Sequence, residues 1–371
     1  MKAHYLLLDA LRGVAALCVI CYHFGEAFAT SPLDQGFNHG YLAVDFFFVL
    51  SGFVIGYAYD ERLRAGRLSC WGFVRKRLVR LQPMMVMGAV LGLITYCIGG
   101  CLRWDGSRVE ALPIAGAFLL NLLMLPLLPG SALDVRGNNE GYPLNGPSWS
   151  LFFEYLGSLL FVLAVRRLSV KALRAWVLAL GLCLAAYSLF KVSGFHNIGV
   201  GWSMTLLGFA GGLLRVAFSM SLGLLVFRTF RPLKLRGAFW WCAVVLVVLL
   251  GMPYVGVGGA LWLNSVYELL LLGGVFPLVV LLGASVQPRE GGESRLCTLL
   301  GNLSYPLYAV HYPFMYLFYA WVWDNGLGFW ETVWVMPLLV VGVVVLAYVA
   351  WRFYDVPVRR RLARRQESSG K

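Results

Sequence analysis

The stretch YLLLDALRGVAALCVICYHFGEA, Tyr5–Ala27, decides how this chain is read. As a helix it is long enough to cross a bilayer core, which takes about 20 apolar residues. Charge inside such a run is expensive, about 3 kcal/mol for an Arg near the middle, so Arg12 and His23 become functional candidates by default. Their eleven-residue separation turns a helix by about 1100°, some 20° past three full turns. The two side chains therefore share one face, about 16 Å apart along the axis. Asp9 lies on the same face one turn before Arg12 and can neutralise it.

The whole composition agrees with that first segment. Of 371 residues, 60% are hydrophobic and 13% charged, where a soluble chain carries about 25% charged residues. The expected fold class is all-α, a polytopic transmembrane helix bundle. Ten apolar runs read as spans: 5–27, 41–59, 84–101, 148–165, 175–190, 213–227, 238–255, 260–284, 299–323 and 333–351. With the N-terminus in the cytosol, 25 Lys and Arg fall on the cytosolic side and five, including Arg215, on the other; Arg12 lies within the membrane. That bias follows the positive-inside rule and places both termini in the cytosol. It also turns the net charge of +13 away from nucleic acid and toward the membrane surface and anionic substrates. Residues 113–129, PIAGAFLLNLLMLPLLP, carry proline at both ends and at Pro126, and read as a re-entrant or interfacial segment. No internal repeat is visible and no cleavable signal peptide is expected. Residues 1–355 form one membrane domain, followed by a basic cytosolic tail, 356–371. Most of the eight cysteines lie in apolar runs, so no disulfide framework and no metal site is expected.

Four further segments carry polar groups where lipid would forbid them. Asp45, in YLAVDFFFVLSGFVIGYAYD, falls in the first turns of the second span, at the depth of His23. It is either a helix-start charge favoured by the macrodipole or a partner for that histidine. VRKRLVRLQP, 74–83, sets Arg77 and Arg80 on one face, an arrangement that suits phosphates. A positive-inside anchor on anionic lipid headgroups is the favoured alternative. GPSWSLFFEYLG places Ser150 and Glu154 on one face, with Glu154 expected near His23 in depth. In LGNLSYPLYAVHYPFMYLF, Ser304 and Tyr305 lie toward the cytosolic side. His311 lies near mid-membrane, where a hydrogen-bonded bundle histidine is the ordinary reading. Glu268 reads as a structural hydrogen-bonding residue, and His4, His39 and His196 receive no role. The layout suits an anionic cytosolic donor and an acceptor arriving from the opposite side.

These motifs resemble the acyltransferase-3 family of integral membrane O-acyltransferases nearly end to end. LDALRGVAALCVICYHF carries the family's basic residue, ten spacers and His as Arg12 and His23. AVDFFFVLSGFVI resembles the second-helix signature, and RKRLVRLQP the Arg-x-x-Arg segment at Arg77 and Arg80. PSWSLFFEY matches at Trp149, Ser150, Leu151 and Glu154, RVAFSMSLGLLVFR at Arg215, and LSYPLYAVHYP at Ser304, Tyr305 and His311. WRFYDVPVRR departs slightly, with Asp355 where the family usually has Glu.

The resemblance implies acyl transfer, most often acetyl, from acyl-CoA as co-substrate, with no permanently bound cofactor. The acceptor is expected to be a hydroxyl of an extracytoplasmic carbohydrate or lipid-linked glycan. The enzyme is expected in the inner (plasma) membrane, acting alone or with a separate extracytoplasmic partner enzyme. His23 is the expected general base, with Asp45 or Glu154 orienting its ring. Arg77 and Arg80 are expected to hold the CoA phosphates. Arg12, with Ser304 and Tyr305 nearby, is expected to anchor the donor or stabilise the thioester oxyanion. Two other readings fit the same residues, a proton-coupled transporter and a subunit that relays acyl groups to a partner. The lack of inverted repeats and paired broken helices counts against a transporter.

Overall fold

A computed structural model describes residues 5–233 and 237–368 of the chain. Lys2, His4, Lys234, Arg236 and Lys371, some of them part of the charge count, lie outside the described residues. Among the described residues the regular structure is helical, with two isolated bridges but no strand. The helices that matter are α1 (Leu6–Glu26), α2 (Ala43–Ile55), α3 (Cys70–Ile98), α4 (Ala111–Leu122), α5 (Ser148–Leu163), α6 (Val170–Leu189) and α7 (Leu206–Arg228). Then come α8 (Ala238–Gly251), α9 (Trp262–Leu270), α10 (Phe276–Ser285), α11 (Gly292–Val310), α12 (Tyr312–Asp324), α13 (Val335–Val349) and α14 (Val356–Ser368). Wide π-helical turns at Gly56–Asp60, Leu271–Val275 and Ala350–Asp355 extend α2, α9 and α13 at their C-terminal ends.

Among the described residues, eight helical stretches are long and apolar enough to cross a membrane. Two of the ten expected spans differ from that simple form. Residues 238–255 yield only the 14-residue α8, about 21 Å long and short of a ~30 Å hydrocarbon core. Residues 299–323 are two helices, α11 and α12, that meet at His311. Pro313, in the first turn of α12, has no amide hydrogen for the preceding turn, so the break falls where the sequence allows it. Of the segment 113–129, only 113–122 is helical: it lies in α4, which starts at Ala111 with Pro113 in its first turn and runs 12 residues, about 18 Å, before the chain becomes irregular.

With lipid outside, apolar burial alone does not hold helices together, so close packing must. Helix α1 packs most extensively against α11, and α2 against α7. The α2–α7 contact depends on two glycines. A Cβ on Gly52 would sit 2.0 Å from the Met220 carbonyl oxygen, and one on Gly223 1.9 Å from that of Val49. Each helix thus presses its backbone into the other. We expect Gly52→Val or Gly223→Val to force the pair apart at a cost of about 1–3 kcal/mol or more. The check is melting of the detergent-solubilised protein followed by size-exclusion chromatography. Unchanged melting for both variants would contradict the contact.

Candidate active site

Two cavities lie back to back in the bundle. The first, about 60 Å³, holds Arg12, Arg80, Ser304 and Tyr305 near the N-terminal end of α1. The second, about 270 Å³, holds His23 and Glu26 near the other end of that helix. Val44 and Tyr308 line both and form the partition. Arg12 and His23 thus share a helix face, as their spacing requires, yet open into different cavities.

In the first cavity the Arg12 Nε donates to Ser304 Oγ at 2.8 Å, and its Nη2 lies 3.3 Å from Asp9 Oδ1. Tyr305 donates its hydroxyl to the Leu81 carbonyl at 2.5 Å. Glu154 lines this cavity too, where it pairs with Arg77 and accepts from Ser51 Oγ at 2.7 Å. Arg77 also donates from Nε to Ser158 Oγ at 3.1 Å. At the partition, the Ser150 and Tyr308 hydroxyls lie 2.7 Å apart, and both reach the Pro147 carbonyl, at 3.0 and 3.3 Å.

In the second cavity, His23 Nδ1 lies 2.5 Å from Glu26 Oε2. Two residues on one helix three positions apart meet naturally. The Tyr319 hydroxyl lies 3.1 Å from the same Glu26 oxygen and donates to the His23 carbonyl at 2.6 Å. With Nδ1–H committed to the carboxylate, Nε2 is the nitrogen left with a lone pair. The rings of Tyr312, Tyr22 and His311 enclose His23, with centroids 4.6, 5.0 and 5.4 Å from its own. His311 is fully buried and directs Nδ1 to the Leu307 and Tyr308 carbonyls, both at 3.0 Å, which suits a bundle histidine. The cavity wall continues with Tyr41, Trp149, Trp202, Asn138 and Glu140. Glu140 is held by Tyr316 and by Asn138 Nδ2, the latter at 2.8 Å, and burial raises its carboxyl above the usual range.

A family model for the acyltransferase domain matches residues 5–352, nearly the whole chain. This chain belongs to the acyltransferase-3 family. Among known proteins, "Protein 2 in picA locus" of Rhizobium radiobacter is 34% identical over 156 residues, covering 40% of this chain and 76% of that protein. The acyltransferase MdmB of Streptomyces mycarofaciens is 32% identical over 187 residues, covering 48% of this chain and 44% of that protein. No solved structure matches.

Within this multi-pass membrane acyltransferase, two expectations about partners need correcting. Neither Asp45 nor Glu154 orients the His23 ring; Glu26 does. Asp45 is fully buried and accepts from Arg215 through two bonds, Nε to Oδ1 at 3.1 Å and Nη2 to Oδ2 at 2.6 Å. Arg215 also donates to the Val200 carbonyl at 2.5 Å and stacks over Trp149, its guanidinium carbon 5.1 Å from the ring centre. Glu154 belongs to the other cavity altogether. The reason is local: Asn145, just before α5, and Ser148, its first residue, are buried, so the helix starts inside the bundle rather than at its surface. Arg77 and Arg80 both border the first cavity, but Arg77 is buried and paired with Glu154, so it is no free phosphate clamp. Glu268 is structural, as its sequence context suggests, accepting from Tyr41, from Asn264 Nδ2 at 2.6 Å and from the Ile198 amide at 2.7 Å.

Removing one member of a buried pair leaves the other charge uncompensated, typically at a cost of about 3–5 kcal/mol. Asp45→Ala and Arg77→Ala should therefore lose folded protein, while Arg80→Ala should not. Membrane yield and monodispersity of the three variants are the check. Normal yield for Asp45→Ala and Arg77→Ala would show that the pairs do not carry the fold.

Proposed function

We propose that this acyltransferase moves an acyl group, acetyl first among candidates, from cytosolic acyl-CoA to a hydroxyl of an extracytoplasmic carbohydrate or lipid-linked glycan. The proposed setting is the inner (plasma) membrane, with the termini and the Arg80 end of the bundle facing the cytosol. One observation carries the reading. An arginine-lined cavity and a histidine–carboxylate cavity meet at a thin partition, Val44 and Tyr308. Arginines at one end suit the phosphates of CoA. Aromatic faces with Asn138 and Glu140 at the other suit a sugar ring.

In this reading the pantetheine arm threads the first cavity and delivers the thioester to the partition. His23 Nε2 takes the proton from the acceptor hydroxyl while Glu26 stabilises the imidazolium that forms. The acceptor oxygen bonds the acyl carbon, the carbon–sulfur bond breaks, and the proton passes to the departing CoA thiolate. In this reading the Tyr308 and Ser150 hydroxyls, which otherwise bond each other and the Pro147 carbonyl, turn to the thioester oxygen as it gains charge. Arg12 is separated from His23 by about 16 Å along α1. It therefore serves as donor anchor in this scheme, not as the oxyanion group of the same step.

His23→Ala should lower kcat about 10²–10⁴-fold, the range for a lost general base. Glu26→Gln should follow in the same direction with donor KM little changed. Wild-type turnover in a well-folded His23→Ala protein would end the base assignment. The reaction itself is tested with purified protein, labelled acetyl-CoA and candidate glycan acceptors. The reading expects labelled acceptor and free CoA in equal amounts. An intact thioester with transported acceptor would mean a transporter, and label appearing only on an added partner protein would mean a relay.

A further inference from the structure

The sequence sets the basic tail apart from the membrane domain, but the structure folds its first turn back into the bundle. Helix α14 packs against α3, the helix that carries Arg80. The wide turn Ala350–Asp355 leads into α14, and Arg359, one turn in, pairs with the buried Asp355. Arg359 is only partly satisfied. Its Nε is buried without a hydrogen-bond partner, and so is Asp355 Oδ1.

Arg359 has company of its own sign. Arg80 lies within electrostatic reach of both Arg359 and Arg12. Arg12 and Arg80 line the first cavity with Ser304 and Tyr305, and Arg359 sits beside it, within reach of Tyr305. Asp9 answers Arg12 and Asp355 answers Arg359, but Arg80 makes no hydrogen bond or ion pair among the described residues. Glu154 and Asp355 also lie within electrostatic reach of Arg80, but each is paired with another arginine, so Arg12, Arg77, Arg80 and Arg359 face three carboxylates and one positive charge is left over. A guanidinium fork is shaped to receive phosphate oxygens. Arg77 is withdrawn from this role by Glu154.

We propose that Arg359, reaching in from the tail helix, is the second phosphate-binding arginine of the donor site and acts with Arg80 in place of Arg77. The tail is then part of the active site's mouth and not only a lipid anchor. The inference rests on the acyl-CoA reading above and deepens it.

The test compares two donors in the full-length protein. Acetyl-CoA carries the phosphates, and acetyl-pantetheine carries the same thioester without them. Arg359→Gln and Arg80→Gln should each lower kcat/KM for acetyl-CoA roughly tenfold to a hundredfold, through KM, as for a lost charged hydrogen bond. Both should leave acetyl-pantetheine unaffected. Arg360→Gln, which alters an exposed neighbour, should change neither donor. Asp355→Asn frees Arg359 and should hold or tighten acetyl-CoA affinity. If Arg359 and Asp355 serve only as a structural pair, Arg359→Gln and Asp355→Asn will instead weaken both donors together, which overturns the proposal. So does an Arg359→Gln enzyme with wild-type KM for acetyl-CoA. A wild-type protein that uses neither donor would overturn the acyl-CoA reading itself, a result distinct from either.

Discussion

A charge inside a bilayer must find a partner, and that requirement organises this molecule. Asp45–Arg215 joins α2 to α7, and Arg77–Glu154 joins α3 to α5. Arg228 in α7 donates to Asp60 through two bonds and so ties α7 to the wide turn after α2. These pairs act together with the glycine contact between α2 and α7. Breaking one exposes a charge to a medium that cannot solvate it, so the pairs restrict the bundle to one arrangement. The polar groups left over border the two cavities: Arg12 and Arg80 on one side, His23 with Glu26 on the other.

The partition gives that division a chemical use. A single cavity open at both ends would let water and CoA follow the acyl group. Val44 and Tyr308 instead reduce the meeting place to a junction, where an aromatic ring and two hydroxyls face the reacting carbonyl in the proposed scheme. Arg12 and His23, the polar anchors of the two cavities, stand on one helix, α1, which packs most extensively against α11. Their spacing is therefore fixed by helix geometry and not by loops. The outer wall of the histidine cavity is different in kind. Asn138, Glu140, Gly199 and Trp202 come from connecting segments, where specificity can vary without disturbing the scaffold.

Much of this is legible in the sequence. Apolar runs give the helices, and the shared face of Arg12 and His23 comes from 3.6 residues per turn. What the pattern supplies is a depth and a face; it does not supply a partner. Counting inward from an assumed membrane surface brings Asp45 and Glu154 to the depth of His23. For Glu154 that count starts from the wrong level, since Ser148 already lies inside the bundle. Glu26 is hidden because it ends the apolar run and reads as a surface residue, although its three-residue spacing from His23 is a usable clue. Arg359 is hidden because a cluster of arginines after the last span looks like a lipid anchor. Only the turn at Ala350–Asp355 shows that one of them points back.

In the proposed mechanism, donor and acceptor reach the junction from opposite sides of the membrane. Proteoliposomes of one orientation, with acyl-CoA supplied to one face and a membrane-impermeant acceptor to the other, measure this directly. Acylated acceptor should form when CoA meets the face bearing Arg80 and Arg359, and none should form when the two compartments are exchanged. Transfer only when both substrates share one compartment would contradict the mechanism.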